Sequence, residues 1–146
     1  MKKLFDFLAP VIDLELSSLV DSVRRRGPES MGRPTREAHL PSERCGSFAA
    51  SFPVTADKDF DAVVVEVVLT LRGDAVLVSA DVVSDPEGGL LGSAFDAGQR
   101  AVAAKLEAPR SSGKWNALRE EIEKFIRSSE PVVLAALRTG ERPVPA

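Results

Sequence analysis

The chain has 146 residues, of which 44% are hydrophobic and 28% charged, and it carries a formal net charge of −3, one cysteine and one histidine. These values are typical of one soluble globular domain. They argue against a protein that neutralises nucleic-acid phosphates, and a single cysteine excludes an intramolecular disulfide framework.

The first predicted element is an amphipathic helix over residues 3–26. Pro10 lies inside it, so the helix either kinks or begins there, since a mid-helix proline costs about 3 kcal/mol. Gly27 and Pro28 predict its end. Its apolar residues recur at three- and four-residue steps: Leu4, Leu8, Ile12, Leu16, Leu19 and Val23.

Acidic residues interrupt this helix at Asp6, Asp13 and Asp21. A signal peptide needs an uninterrupted apolar run, so none is predicted. The same carboxylates would be repelled by an anionic membrane surface. We therefore expect a cytoplasmic protein without a membrane partner.

A linker is predicted over residues 27–44. It contains Pro28, Pro34 and Pro41 and almost no apolar residues. Such a segment buries too little surface to offset its ordering entropy. We expect it to be mobile or extended.

Two strands over residues 61–72 and 75–84 form the clearest predicted hairpin. A two-residue turn at Gly73 and Asp74 makes one face of the pair entirely apolar. A slip of one residue would move that apolar set into water, so the sequence favours this register.

A preceding strand over residues 47–54 completes a three-stranded antiparallel meander. Its aromatic residues, Phe48 and Phe52, alternate with small or polar residues. Whether they join the apolar face depends on the loop that follows, and the sequence leaves both arrangements open.

Three helices are predicted after the sheet. The first begins at Ser93 as an N-cap and ends near Ala108, and the second covers residues 114–128. The third is capped by Ser129 and tolerates Pro131 in its first turn.

The predicted fold class is α+β: an N-terminal helix, the linker, the three-stranded sheet and three C-terminal helices packed on it. This arrangement forms a single domain over residues 1–140. Residues 141–146 are expected to be a disordered tail.

The leading functional hypothesis is a non-enzymatic protein-binding or adaptor module, with a homodimer as one form. The sheet face opposite the apolar one is half apolar, so either the helix from Ser93 or another chain has to cover it. An edge strand and the first helix, through Phe5 and Leu8, are the other predicted contact surfaces. The apolar residues of the half-apolar face are Val64, Val68, Leu77 and Val83.

The first alternative is a small metal-dependent or acid/base enzyme. The favoured register places Glu66 opposite Asp81, and Asp85 follows on the same face. Exposure of both carboxylates, or a bridging arginine such as Arg100, is the favoured explanation of the acidic pair. His39 and Cys45 have no partner at a metal-ligand spacing, so no cofactor or small-molecule substrate is predicted.

The second alternative is a nucleic-acid contact through the arginines in and before the linker. No aromatic residues interleave with them to stack bases, and the net charge is unfavourable. These arginines are Arg24, Arg25, Arg26, Arg33 and Arg36.

Overall fold

The computed structural model describes residues 2–28, 31–54, 61–72, 75–85, 90–93, 102–105 and 113–139. Its elements in chain order are α1 (Lys2–Arg26), β1 (Thr35–Ser42), β2 (Cys45–Pro53), β3 (Ala62–Arg72), β4 (Ala75–Asp85), β5 (Leu90–Ser93), β6 (Val102–Lys105) and α2 (Gly113–Thr139). The predicted α+β class and the N-terminal helix are confirmed. As predicted, α1 ends immediately before Gly27.

The sheet is an antiparallel meander of the four longer strands, β1 to β4, in chain order. Two four-residue strands extend it, and both pair with β4. β5 pairs with the part of β4 around Val82, and β6 pairs with the part from Ala75 to Val78. One edge of the sheet is therefore β1, and the opposite edge of β4 is shared by β5 and β6.

The pairing of β3 with β4 has the predicted register. Val67 lies opposite Ala80, and Arg72 lies opposite Ala75 at the end of the ladder. The pairing of β2 with β3 answers the question that the sequence left open. Phe48 lies opposite Val67 and Phe52 opposite Val63, so both aromatic residues are on the apolar face.

Both helices pack on this apolar face, which we call the inner face. Phe5 of α1 stacks on Phe48 with ring centroids 4.5 Å apart. Gly46 allows this approach, because a Cβ atom there would lie 2.7 Å from the Phe5 ring. Each fully buried large side chain contributes about 1.5–3 kcal/mol. The largest are Trp115, Phe48, Phe52, Phe125, Leu4, Leu8, Ile12, Leu69, Leu118, Ile122, Ile126 and Leu137.

The two helices run parallel to each other. Near their N-termini, the ring centroids of Phe7 and Trp115 are 5.3 Å apart. At their C-termini, Arg138 Nη2 donates a hydrogen bond of 3.2 Å to the carbonyl oxygen of Arg26. That contact satisfies one of the carbonyls that a helix end leaves unpaired. Neither described helix has an apolar stretch long enough to cross a lipid bilayer.

The predicted count of three strands is wrong, because residues 35–42 of the predicted linker form β1. All of its residues except Leu40 are exposed, so the strand has no apolar alternation in its sequence. Its pairing with β2 supplies the hydrogen bonds that hold it. The mobility of the remaining linker stays a prediction.

The predicted count of three C-terminal helices is also wrong. Residues 102–105, which were predicted as helical, form β6, and Ser93 ends β5; residues 94–101 and 106–108 lie outside the described part of the chain.

The two predicted helices that follow are one, since α2 continues through Pro131. Ser129 is no cap, because its buried hydroxyl donates to the carbonyl oxygen of Ile126 at 2.6 Å. A proline removes one helical hydrogen bond, and the apolar stripe continues past it to the buried Leu137. The predicted tail at 141–146 lies outside the described residues.

Candidate binding surface

The face of the sheet opposite the helices, which we call the outer face, is the first part of the candidate surface. The buried residues of β2, β3 and β4 alternate with residues that are half-buried. The described helices contact the inner face, so neither of them covers the outer one. The half-buried outer-face residues of the three strands are Cys45, Ser47, Ala49, Ser51, Pro53, Val64, Glu66, Val68, Thr70, Leu77, Ser79, Asp81 and Val83.

The apolar residues of the outer face lie on two sides of an acidic centre. Val64 and Val83 are directly opposite each other, next to the Glu66–Asp81 pair. On the other side of that pair, Val68 and Leu77 are diagonal neighbours on adjacent strands, a spacing at which side chains still contact. The four residues predicted as apolar contacts therefore share one face.

Three carboxylates line up across this face. Glu37 of β1 lies opposite Ala49, Ala49 opposite Glu66, and Glu66 opposite Asp81. The Glu66–Asp81 pairing is the predicted one. Burial raises the pKa of Glu66 above its ordinary value, and the negative charge of Asp81 raises it further. Two neighbouring carboxylates therefore lie at the centre of the outer face.

Asp85 is the third carboxylate that was predicted beside this acidic pair. It lies four residues from Asp81 along β4, which is about 13 Å at roughly 3.3 Å per residue. Its contribution to a site with Glu66 and Asp81 stays a prediction. Among the residues that the structure describes, no group of three His, Cys, Asp or Glu side chains is arranged to hold a metal ion.

The open edge of β1 is the second part of the candidate surface. Leu71 N donates to Arg44 O, and Val54 N donates to Asp61 O. Both bonds belong to the β2–β3 register, so even-numbered residues of β2 bond to β3 and odd-numbered residues face β1. The β1–β2 register then directs the backbone groups of Thr35, Glu37 and His39 towards β2.

The residues between them direct their backbone groups away from the sheet. These are Arg36, Ala38 and Leu40, and each contributes one N–H and one C=O. Within the described ranges, no other backbone group bonds to them. Such a row is a template for an additional strand.

Two prolines limit the open edge. Pro34 lacks an N–H at the next outward-facing position. Pro41 lacks the N–H that would face β2, and the β1–β2 register shifts between His39 and Ser42. The accessible ladder is therefore short and runs from Arg36 to Leu40.

The first helix does not offer the contacts predicted for it. Leu8 is fully buried and Phe5 is nearly so, because both side chains pack in the core. The exposed large apolar residue of α1 is Leu14, whose exposed fraction is 66%. We therefore leave Phe5 and Leu8 out of the candidate surface.

Two of the arginines predicted for nucleic-acid contact pair with acids. Arg36 Nη1 lies 2.6 Å from Asp13 Oδ1, and Arg26 Nη1 lies 3.7 Å from Glu130 Oε1. Arg24, Arg25 and Arg33 are exposed. The nucleic-acid contact stays a prediction.

The sequence did not indicate a polar groove of about 400 Å³ between α1 and α2. Arg127 forms a two-pronged ion pair with Glu15 there, at 2.6 and 3.2 Å. Ser22 donates a hydrogen bond to Glu130 in the same groove. These contacts join the helices along their shared seam, and we assign them a structural role.

No protein-family model matches the chain, and neither a curated protein nor a solved structure matches it.

Proposed function

We propose that this chain is a non-enzymatic protein-binding module that acts through the outer face of its sheet. The observation that carries the proposal is the arrangement of four apolar residues around the Glu66–Asp81 pair, on a face that the described helices leave open. Half-buried apolar residues that share one face of a sheet are suited to a protein partner.

The chemistry of the patch specifies the partner. Glu37, Glu66 and Asp81 form an acidic row, and the net charge of the chain is also negative. The complementary surface is apolar with a lysine or arginine at its centre. An arginine suits this row, because its planar guanidinium forms two parallel hydrogen bonds with a single carboxylate such as that of Glu66.

Binding of such a partner would relieve the repulsion between the two carboxylates. A nearby cation favours the charged form of a carboxyl group, so it lowers the raised pKa of Glu66. Binding near the titration range of Glu66 is therefore expected to release a proton.

The test is a capture experiment with two matched variants. In V68K/L77K, two lysines replace the diagonal apolar pair and oppose a basic partner. In L14K, the same change is made at the exposed leucine of α1. We expect wild type and L14K to capture partners from extracts of the cells that express the protein. The amount captured by V68K/L77K is expected to be at least about tenfold lower.

Circular dichroism and thermal unfolding of each variant would show that all are folded. Calorimetric titration of a captured partner in two buffers of different ionisation enthalpy would then measure the released proton. Equal capture by all three proteins, or the absence of any selectively retained partner, would contradict the proposal.

One further observation favours an acid/base or metal role for Glu66 and Asp81, namely the raised pKa of Glu66 beside a second carboxylate. This alternative needs ligands or reacting groups from a substrate, since the described residues supply two carboxylates. Titration with Mg²⁺, Mn²⁺ and Ca²⁺ separates the two functions. Heat release that E66Q abolishes supports the metal site, and silence at millimolar metal argues against it.

A further inference from the structure

We infer that the open edge of β1 pairs with β1 of a second copy of this chain, antiparallel and centred on Ala38. This pairing rests on the proposed function and extends it, because it names a second copy of the chain as the partner of the open β1 edge. It uses the three residues whose backbone groups face away from the sheet, Arg36, Ala38 and Leu40.

Pairing about Ala38 satisfies every outward backbone group of the short ladder. Ala38 faces Ala38 of the other copy, and Arg36 faces Leu40 in both directions. Each facing pair forms two hydrogen bonds, one from each N–H. Three pairs give six bonds across the two-fold axis.

The neighbouring registers are poorer. Pairing about Glu37 would place that carboxylate opposite its own copy and Leu40 opposite Pro34, which has no N–H to donate. Pairing about His39 would place Arg36 opposite Ser42, beyond the point where the β1 register shifts. Ala38 is thus the centre that the strand itself selects.

The side chains on the outer face are self-complementary in this register. Glu37 and His39 are both exposed and lie on the same face of β1. About Ala38, each Glu37 lies opposite His39 of the other copy, twice per dimer. These are the closely spaced, non-hydrogen-bonded positions of the ladder, where opposed side chains contact most directly.

The two-fold axis stands perpendicular to the sheet, because inner-face residues oppose inner-face residues. The helices of both copies then lie on one side of a continuous sheet. The two outer faces lie together on the other side, and their acidic rows join end to end. The dimer therefore doubles the surface assigned to the partner, without covering it.

The test measures the oligomeric state by light scattering during size exclusion across a concentration series. Wild type and A38S, which keeps the N–H, are expected to dimerise. A38P removes the central N–H from both copies and is expected to raise the dimer dissociation constant at least about tenfold. The Ala38 N–H faces solvent in a single copy, so proline there removes no hydrogen bond of the monomer.

A charge-swap series tests the register. H39E places like charges opposite each other twice, and we expect it to weaken the dimer roughly fivefold. The double variant E37K/H39E restores opposite charges, and its dissociation constant is expected within about twofold of wild type.

Hydrogen exchange adds a readout that a loss of folding would not imitate. In wild type at high concentration, the amides of Arg36 and Leu40 are expected to be protected from exchange. In A38P, protection is expected only for the amides of Glu37 and His39, which bond to β2. A monomeric wild type, or an A38P variant that dimerises like A38S, would overturn the inference. Because the V68K/L77K capture experiment measures the outer face, a monomer that still captures its partner would leave the proposed function standing.

Discussion

The inner and outer faces of the sheet are formed by alternate residues of the same strands. Val67 and Ala80 form a cross-strand pair that is at most 1% exposed, whereas the adjacent pair, Glu66 and Asp81, is half-buried. The backbone hydrogen bonds between the strands are common to both faces, so they do not cause this difference. The difference comes from α1 and α2, which cover the inner face and convert it into the core. Three pairs of substitutions sharpen this comparison.

The largest expected effect comes from truncating an aromatic residue of the inner face. Phe48→Ala leaves a cavity under the stacked ring of Phe5 and should lower the free energy of unfolding by about 3–5 kcal/mol. Leu77→Ala on the outer face should cost about 1 kcal/mol or less. Urea unfolding of both variants measures the contrast, and equal losses would mean that the outer face is covered as well as the inner one.

A smaller effect is expected when a hydroxyl is placed at two successive positions of β3. Val67→Thr buries that hydroxyl in the core and should cost about 1–3 kcal/mol. Val68→Thr leaves it half-exposed and should change stability by less than about 0.5 kcal/mol. The two variants share the same strand, the same type of substitution and the same change in β-strand propensity. Thermal unfolding therefore reports the difference in burial alone. A larger loss from Val68→Thr than from Val67→Thr would refute the assignment of the faces.

The smallest effect concerns the acidic pair, and its sign depends on pH. The folded pKa of Glu66 is raised above the ordinary 4.5. Well below 4.5, both the folded and the unfolded chain carry the proton and no penalty exists. As pH rises from 4.5 through the raised pKa, the unfolded chain releases its proton first, so the stability of the fold falls.

Glu66→Gln removes this penalty. It should stabilise the protein by a few tenths of a kcal/mol at pH 7 and give no gain well below the ordinary glutamate pKa. Glu37→Gln, in the same cross-strand row but exposed, serves as the control. A gain that is equal at both pH values would assign the effect to something other than titration of Glu66.

The sequence predicts the inner face because its apolar residues recur at every second position of the strands. Every second residue is apolar from Val63 to Leu71 of β3 and from Val76 to Val82 of β4. A slip of one residue would expose them all, so the register and the Glu66–Asp81 pairing followed from the same pattern. The placement of Phe48 required the pairing of β2 with β3, which no local pattern encodes. Both aromatic residues of β2 proved to be core residues.

The sequence did not predict β1 as a strand, and the reason is physical. β1 is held by backbone hydrogen bonds to β2, and its side chains are exposed, so its composition resembles that of a linker. A Ser-x-x-Asp pattern at Ser93 and a proline at position 131 misled the helix predictions in a similar way. Caps and breakers are local preferences, and the pairing of short strands with β4 and the continuous packing of α2 outweigh them.

The parallel packing of α1 and α2 has a consequence for synthesis of the chain. The ribosome makes α1 before the sheet and α2 after it, yet the two helices lie side by side and both contribute to the core. After β4 has been made, α2 requires roughly 3–11 s more at about 5–20 residues per second. Throughout that interval α1 is the one helix of the two available to cover the apolar inner face of the nascent sheet.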